Sequence, residues 1–405
     1  MVSLLVSTAV RPAAMTTTIE GKSGTSVITA PPPPPTSRCG ATGSGVCRYV
    51  DAAKGNDANP GTSARPFRTL QQAADVVNPG DGVLVNDGLY TGGATVLTIA
   101  RSGSAGNWIV FRAAHPWGAV VDGRNNISAY GIRIRGNYIR VEGFEVRGVS
   151  GSGFDAFAGN ELVAVTHDVA IVGNHIHDIA RICDDGSGGH AGIAAYVNNL
   201  VIEQNIIHDI GRLGPGELGC NPSNTNWQNH DHGIYHAVGD SVVIRNNIFY
   251  HNARGWSYHR YSGVGATTRG VYILNNTFAF PNPNRDGQIV IAGVTGGLVI
   301  ANNIFNRPTA AGIRWGTGGT WAGALVQSNL STAAVAAPSV SGVRFVGNIE
   351  KADPKLVNPT TFDFHLQSGS PAIAGGVALA LVTNDAAGVR RPQGAGSDIG
   401  AYLFK

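Results

Sequence analysis

A short apolar segment that ends in asparagine recurs along the chain, and this repeat restricts the possible folds more than any other feature. Its clearest copies read apolar-x-Ile-x-x-Asn and end at Asn174, Asn205, Asn247, Asn276 and Asn303. Weaker copies end at Asn329 and Asn348, and an opening copy has Phe144 in the asparagine position. Successive asparagines lie 31, 42, 29, 27, 26 and 19 residues apart, a spacing typical of a solenoid.

The residue types of the repeat predict β-strands that stack coil upon coil. Valine and isoleucine favour strands, which excludes an all-helical solenoid. Asparagine tolerates the left-handed backbone of a sharp corner, and amides stacked at one height can hydrogen-bond from coil to coil. We therefore predict an all-β fold, a single-stranded right-handed parallel β-helix with an internal asparagine ladder.

The chain divides into a tail and one solenoid domain. Residues 1–38 have a signal-like start and end in a run of prolines, which predicts a disordered segment outside the fold. Residues 39–405 are predicted to form the parallel β-helix domain. Within it we expect an N-terminal cap at about 47–90, coils at about 91–350 and a C-terminal cap at about 351–405.

One helix is expected, in the N-terminal cap. The segment from Leu70 to Val77 has helical apolar spacing, and Thr69 is a suitable N-cap. A short amphipathic helix here would cover the open edge of the first coil, which solenoids require.

Charge and cysteine content narrow the setting of the protein. The net charge of +3 is too small for nucleic-acid binding, and no apolar stretch is long enough for a membrane span. The four cysteines form two local pairs, Cys39/Cys47 and Cys183/Cys220. Paired cysteines fit an oxidising compartment, so we expect a secreted, extracellular or periplasmic protein, and a monomer.

A second strand precedes each asparagine corner and begins with a glycine, with copies at 153–157, 192–196, 233–237, 255–259, 287–291 and 312–316. Alternation along these strands places apolar residues inside and their neighbours on an outer face. This alignment assigns Trp256 to the core and leaves His236 and Tyr258 facing inward, unless a corner turns either one out. The predicted outer column is Asp155, Ala194, Tyr196, Tyr235, Ser257, His259 and Arg314.

Two insertions extend from this outer face. One spans residues 181–190 and carries Cys183, and the other spans residues 211–232 and carries Cys220. Because they belong to adjacent coils, a disulfide can join them. Long loops on one face of a solenoid usually mark its working face.

Motifs at both ends of the solenoid complete the pattern. They are Tyr49-Val-Asp, Gly55-Asn-Asp, Pro66-Phe-Arg-Thr, Pro79-Gly-Asp, Ser370-Pro-Ala-Ile and Asp398-Ile-Gly-Ala-Tyr. With the asparagine coils, they resemble the pectate-lyase-like β-helix superfamily, in particular its secreted branch around alginate lyases and chondroitinase B. The resemblance covers roughly residues 47–403 and implies extracellular polysaccharides as ligands. It does not specify a reaction, because the superfamily includes lyases, hydrolases, epimerases and surface proteins.

The distribution of lysine departs from this resemblance. Chondroitinase-B-like lyases use a lysine base with an arginine acid, but this chain has no lysine between Lys54 and Lys351. That pairing cannot be carried over, whereas an arginine base remains open.

The residues best suited to chemistry lie at the end of the second insertion, from Asn229 to His236, and in the coil that follows. β-Elimination from a uronate needs a donor at the carboxylate, a base for the C5 proton and an acid for the leaving oxygen. The predicted catalytic residues are His232, Tyr235, His236, His259 and Arg260. The predicted substrate-binding residues are Tyr196, His190, His230, Arg254, Tyr258, Arg285 and Arg314.

This chemistry requires no cofactor, although Asp184 and Asp185 can hold calcium, as related lyases do. His175 and His177 form an i,i+2 pair that resembles a metal site. These two histidines and His208 lie just after the asparagine corners of successive repeats, so we interpret them as rings that stack from coil to coil.

We predict a secreted lyase that cleaves a uronate-containing polysaccharide by β-elimination. A glycoside hydrolase that uses carboxylates from Asp184, Asp185, Asp231 or Asp286 would also fit the fold. So would a C5-epimerase on the same scaffold, or a non-catalytic carbohydrate-binding surface protein.

Overall fold

The structure is a computed structural model that describes residues 16–18, 27–29, 37–157, 159–160, 163–261, 263, 267–337, 340–392 and 396–405. The coils of this chain contribute strands to long parallel sheets that run along the axis, which confirms the predicted right-handed parallel β-helix. Most of the predicted tail, 1–38, lies outside the described residues. Within it, Thr16–Thr18 pairs antiparallel with Val27–Thr29.

Each coil passes through three parallel sheets in turn. The first sheet contains Cys47–Val50, Gly82–Val85, Ile109–Ala113, Ile139–Glu142, Thr166–Val172, the end of Ala191–Glu203, Val242–Arg245, Thr268–Leu274, Val294–Ala301, Ala324–Gln327 and Val343–Val346. The second sheet contains Gly88–Tyr90, Ala119–Asp122, Glu145–Arg147, His175–Ile179, Ile206–Ile210, Ile248–Tyr250, Thr277–Ala279, Ile304–Asn306 and Leu330–Ser331. The third sheet contains Thr95–Ile99, Tyr130–Ile134, Ser152–Ala156, the start of Ala191–Glu203, His232–Val238, Tyr258–Arg260, Ile289–Ile291, Ala311–Trp315 and Ala334–Ala337.

A few short elements lie outside the sheets. Gly159–Asn160 pairs antiparallel with Val163–Ala164, and Leu356–Asn358 pairs antiparallel with Asp363–Leu366. The 3-10 helices that lie wholly within the described residues are Glu217–Gly219, Asn226–Gln228 and Pro359–Thr361.

The interior of the coils is apolar and stacked in columns. The isoleucines of the repeat form one column on the first sheet and are fully buried, namely Ile171, Ile202, Ile244, Ile273 and Ile300. Phe249, Phe278 and Phe305 form another column, with ring centroids 4.8 Å and 5.2 Å apart. Burying each of these side chains contributes about 2 kcal/mol, so the columns hold successive coils together.

The predicted asparagine ladder is present from Asn174 to Asn348. Each side-chain Nδ2 donates to Oδ1 of the next ladder asparagine over 2.9–3.1 Å. The same Oδ1 accepts the backbone N–H of the preceding asparagine, and Phe144 makes this backbone bond to Asn174 over 2.9 Å. The buried amides are thereby satisfied, which stabilises the corner between the first and second sheets.

The predicted capping helix is confirmed as Leu70–Val76. Thr69 is its N-cap, since its hydroxyl accepts the backbone N–H of Gln72 over 3.2 Å. Leu70, Ala73 and Ala74 face the interior and pack on the first coils, so the helix covers their open end.

The C-terminal segment folds back along the outside of the coils. Leu356, Phe364 and Ile399 pack against the second sheet, and Leu381 and Val382 pack against the first. The buried guanidinium of Arg391 donates to backbone carbonyls of Asp398, Gly400 and Ala401 over 2.7–3.1 Å. These contacts lie on the first and second sheets, so the third sheet remains available for a site.

The register of the third sheet differs from the predicted alignment in one coil. Ile234 pairs with Tyr258 rather than with Trp256, a shift of two residues. Tyr258 therefore takes the inward position, and Trp256 precedes the strand on the outside. The assignment of Trp256 to the core was wrong, because the glycine taken as the start of the strand, Gly255, belongs to the preceding turn.

Candidate active site

A cleft of about 650 Å³ opens on the outer face of the third sheet. Its floor comes from three successive strands, and its walls come from the two insertions. The polar and aromatic lining residues are Ser152, Ser187, His190, Tyr196, Asn229, His230, His232, Tyr235, Trp256, His259, Tyr261 and Thr317. Among the described residues that line the cleft there is no carboxylate, lysine or arginine.

Strand register brings the predicted residues of the floor together. Ala194, Tyr235 and His259 lie side by side on three neighbouring strands. Alternation turns all three outward, because their neighbours Ile193, Ile234 and Tyr258 are fully buried. The small side chain of Ala194 leaves space beside Tyr235 in which a ligand can lie.

Hydrogen bonds assign the protons on the two central imidazoles. The backbone N–H of Trp256 donates to His232 Nδ1 over 3.1 Å, so the proton of a neutral His232 is on Nε2. His232 Nε2 lies 3.0 Å from His259 Nδ1 and therefore donates to it. The proton of His259 is consequently on its own Nε2, which makes no hydrogen bond within the described part of the chain. His259 thus presents an N–H donor at the cleft, and His232 holds it in place.

Burial keeps both imidazoles neutral. Burial and the neighbouring His259 and His230 lower the pKa of His232 well below its usual value. Burial, with Arg260 and His230, lowers the pKa of His259 to about 3. The hydrogen bonds act in the same direction, because a proton on His259 Nδ1 would face the N–H of His232.

Aromatic rings surround this histidine pair. Tyr235 stacks on His232 at 5.8 Å and meets His259 edge-on at 5.6 Å. Trp256 stacks on the His232 ring at 5.6 Å, and its indole N–H donates to the Asp286 carbonyl over 3.0 Å. The half-buried Trp256 gives the cleft a flat apolar wall of the kind that stacks on sugar rings.

A buried ion pair anchors the two insertions that form the walls. Arg212 and Asp231 are fully buried and make a bidentate pair with two N–O distances of 3.0 Å. Arg212 also donates to the Gly188 carbonyl over 2.9 Å, and Asp231 accepts the backbone N–H of His190 over 3.1 Å. The predicted disulfide Cys183–Cys220 is present, with the Cα atoms 5.5 Å apart.

Three polar atoms of the walls lack hydrogen-bond partners in the described chain. They are His190 Nε2, His230 Nδ1 and Asn229 Oδ1, all buried. An unsatisfied buried polar group costs about 1–3 kcal/mol, so water or a ligand is expected to satisfy these atoms. Burial also lowers the pKa of His190, which leaves its imidazole neutral at pH 7.

Three of the predicted site residues face the interior of the coil instead of the cleft. His236 is fully buried, with Nε2 donating to the Gly239 carbonyl over 3.2 Å and Nδ1 accepting from the Tyr258 hydroxyl over 2.8 Å. Arg260 is also fully buried and donates to the Ala237 carbonyl over 2.8 Å. Strand alternation causes this, since Ile234, His236, Tyr258 and Arg260 all occupy inward positions. These side chains support the floor of the cleft from beneath and do not reach a ligand.

The other predicted arginines also lie away from the cleft. Arg254 pairs with Glu217 at 2.7 Å and covers the Trp227 ring, so it stabilises the second insertion. Arg285 lies on the loop before Ile289–Ile291. Arg314 lies two strands beyond His259, in a smaller hollow of about 250 Å³, and is 3.7 Å from Asp286.

The two aspartates predicted as calcium ligands point to different partners. Asp184 lies 3.5 Å from the Arg212 guanidinium and 3.7 Å from His190. Asp185 accepts the backbone N–H and the hydroxyl of Ser223 over 2.9 Å and 2.8 Å. Because the two carboxylates turn to different partners and do not converge on one point, they do not form a shared calcium site, and we assign no step to calcium.

Sequence reasoning gave no site role to Arg212, Trp256 and Asn229, nor to four further lining residues, Ser152, Ser187, Tyr261 and Thr317. Arg212 left no recognisable signal, because nothing in the sequence pairs it with Asp231. Trp256 was considered as a ring that stacks on sugars but was assigned to the core, and the register shift places it at the cleft instead. Asn229 stood at the start of the segment chosen for chemistry but was given no role, although it lines the cleft.

Comparisons with known proteins agree with this architecture. A family model described as "Pel9A-like, right handed beta helix region" matches residues 48–270, more than half of the chain. The uncharacterized protein YwoF of Bacillus subtilis (strain 168) is 32% identical over 151 residues, which is 36% of this chain and 31% of that protein. The chain therefore spans about a third of the length of this curated relative. The crystal structure of pectate lyase Pel9A aligns with a TM-score of 0.55 at 15% identity, over 91% of this chain and 100% of that chain, and shares its fold.

Proposed function

The chain belongs to the Pel9A-like right-handed β-helix family, and from this we propose that it is an exported polysaccharide lyase that cleaves a uronate-containing glycan by β-elimination. The observation that carries the proposal is the hydrogen-bonded pair His232–His259 beside Tyr235 in a cleft whose described lining has no carboxylate. A glycoside hydrolase needs two carboxylates at the scissile bond, about 5–9.5 Å apart. The two disulfides support export into an oxidising compartment.

Each step of the elimination has a residue suited to it. The neutral His259 cannot accept a second proton on Nδ1, but its Nε2–H can donate to the uronate carboxylate as negative charge develops there. Arg254 and Arg260, the predicted site arginines nearest in sequence, lie away from the cleft and do not take this role. A preorganised hydrogen-bond donor of this kind raises kcat by about 10²–10³-fold.

We assign the proton transfers to residues of the cleft wall and of the cleft floor. The base is one of the two wall imidazoles, His190 or His230, and it takes the proton from C5. The electron pair of the C5–H bond forms the C4=C5 double bond as the C4–O4 bond breaks. Tyr235 then donates its hydroxyl proton to O4, the leaving oxygen. Trp256 and Tyr196 form apolar walls for the sugar rings.

The experiment is an assay of the purified protein on polygalacturonate, alginate and glycosaminoglycans. Ultraviolet absorbance detects the C4=C5 product, and a parallel assay detects new reducing ends. We expect both signals to rise together on at least one uronate glycan. Reducing ends without the double bond, on any glycan, would contradict elimination and indicate hydrolysis.

Variants test the assigned roles. Tyr235→Phe is expected to lower kcat by about 10²–10⁴-fold and His259→Gln by about 10²–10³-fold, with the fold intact by circular dichroism. Tyr138→Phe is the matched control, because Tyr138 packs on Trp108 and His167, away from the cleft. Comparing His190→Gln with His230→Gln identifies the base, since only its loss lowers kcat without raising KM.

A second candidate function is carbohydrate binding without catalysis. The aromatic walls and the absence of charged side chains among the described lining residues favour a ligand held by stacking and neutral hydrogen bonds. Binding of a glycan that survives Tyr235→Phe, with no product on any substrate, would establish this function instead.

A further inference from the structure

A second group of histidines lies on the outer face of the second sheet, apart from the cleft. Glu145 pairs with His175 on the next strand, and His177 pairs with His208 one strand further. Ile176 and Ile207 between them are fully buried, so the histidines face outward. All four side chains are half-buried, which leaves them accessible to a small ion.

Neighbouring carboxylates orient two of these imidazoles. His177 Nδ1 lies 2.7 Å from Asp178, and His208 Nδ1 lies 2.6 Å from Asp209. A carboxylate accepts, so each Nδ1 carries the proton and each Nε2 presents a lone pair. Histidines that bind metals are typically held by a carboxylate in this way.

The ligand atoms converge. One ligand atom from each of Glu145, His175 and His177 lies within 4.8 Å of the others, and Glu145 Oε1 is 3.4 Å from His177 Nε2. Bonds of 2.0–2.2 Å in a tetrahedral zinc site place ligand atoms roughly 3.3–3.6 Å apart. Arg147 donates to Glu145 Oε1 over 2.7 Å and so fixes the direction of that carboxylate.

Ring stacking accounts for only part of this group. His177 lies parallel to His208 at 5.0 Å, and His208 lies parallel to Tyr250 at 4.3 Å, as the repeat register predicts. The ring of His175 is tilted by 35° to that of His177 and by 37° to that of His208. Its Nε2 lies 2.7 Å from His208 Nε2. At 2.7 Å the two nitrogens are hydrogen-bonded, with His175 Nε2–H donating to His208 Nε2, because the proton of His208 is on Nδ1. A bound metal ion would take the place of this shared proton and separate the two nitrogens to about 3.3 Å.

We propose that Glu145, His175 and His177 bind a zinc ion, with His208 available as a fourth ligand. Imidazole nitrogens with one carboxylate form a donor set that suits zinc and related transition metals better than calcium or magnesium. The site joins three successive coils, so the bound metal stabilises the solenoid. It lies on another sheet from the cleft, and the proposal is independent of the lyase activity.

The test is zinc binding by the purified full chain after dialysis against a chelator. Competition with a chromophoric chelator gives the affinity, elemental analysis gives the stoichiometry, and a Co²⁺ spectrum reports the coordination geometry. We expect about one zinc per chain, a tetrahedral Co²⁺ spectrum and a higher Tm with metal. His175→Gln and His177→Gln should each weaken binding at least tenfold.

Two controls locate the site. His365 is also paired with a carboxylate, Asp363 at 2.7 Å, but lies outside the group, so His365→Gln should bind zinc like the unaltered chain. His259→Gln should do the same, which excludes the cleft histidines as the ligands. The double variant His175→Gln/His177→Gln must still unfold cooperatively. Unchanged zinc binding by this double variant, or no binding by the unaltered chain, would overturn the proposal and leave the rings with stacking alone.

Discussion

At the residue scale, hydrogen bonding decides what each histidine can do. His232 uses both ring nitrogens within the protein, so it positions its neighbour and cannot itself transfer a proton to a ligand. His259 receives one of those bonds and keeps an N–H for the cleft. His236 is satisfied by Gly239 and Tyr258 inside the coil. Three histidines of one short region therefore have three different roles, although the sequence presents them alike.

The buried pair Arg212–Asp231 gives a prediction at this scale. In Asp231→Asn the guanidinium remains buried without its carboxylate, so we expect the free energy of unfolding to fall by about 3–5 kcal/mol. Urea denaturation followed by circular dichroism measures this change. The walls of the cleft should loosen as well, because His190 and Gly188 are held through the same pair.

Asp286→Asn is the matched control for this change. Asp286 is exposed and lies 3.7 Å from Arg314, so its loss should cost under about 1 kcal/mol. Equal stabilities of the two variants would show that the buried pair does not anchor the insertions.

At the element scale, the asparagine ladder sets the register of the coils. Asn247 Nδ2 donates to the carbonyls of Ile202 and Arg245 and to Asn276 Oδ1, and Asn247 Oδ1 accepts from Asn205. This asparagine closes the coil that contains the second insertion. The third-sheet strands that come before and after this corner along the chain, His232–Val238 and Tyr258–Arg260, carry the floor of the cleft, so their relative height depends on it.

Removing one ladder amide should therefore destabilise the whole stack. Asn247→Ala leaves several buried groups unsatisfied, at about 1–3 kcal/mol each, and we expect a loss of about 3–5 kcal/mol in the free energy of unfolding. Asn348→Ala removes the last, half-buried amide of the ladder and should cost less. Thermal and urea unfolding of the two variants compare them, and a larger loss at Asn348 would contradict the ladder as the source of stability.

At the scale of the whole molecule, the C-terminal segment decides which face is free. It covers the outer face of the first sheet and the later strands of the second sheet, from Ile248–Tyr250 onward, through two apolar clusters and through Arg391. The third sheet carries the insertions and the cleft. None of the helices in the described chain is long and apolar enough to cross a bilayer.

The buried histidines predict how the stability of the molecule depends on pH. Burial lowers the pKa of His232, His236 and His259 below the usual 6.5. Below about pH 6.5 the unfolded chain therefore binds protons that the folded chain does not, and stability falls as the pH drops. Each imidazole contributes about 1.4 kcal/mol per pH unit, so these three contribute about 4 kcal/mol per unit between about pH 6 and 4. His175 and His190 add to this slope, because burial lowers their pKa values as well.

Urea midpoints at a series of pH values measure this slope. In His259→Gln the slope should decrease by about 1.4 kcal/mol per pH unit, because one fewer proton is bound on unfolding. A free energy of unfolding that stays constant from pH 7 to pH 5 would contradict the assignment of these histidines as buried and neutral.

The sequence was sufficient for the architecture. Val-Ile segments with asparagine corners impose stacked strands, because strand propensity and the left-handed corner are local properties that every coil repeats. The capping helix, both disulfides and the ladder followed from the same local patterns. The gathering of His190, His230, His232, Tyr235 and His259 at one cleft also follows from the register, since stacked strands bring equivalent positions together.

Only the tertiary structure decided which of the candidate residues meet a ligand. The two-residue shift at Tyr258 reversed the placement of Trp256, because the length of the turn before a strand depends on how it packs on its neighbours. Burial turned His236 and Arg260 into supports of the floor, and the pairing of Arg212 with Asp231 joined loops that are distant in sequence. The ladder is a local and repeated feature and could be predicted, whereas the site depends on contacts between coils that no single segment specifies.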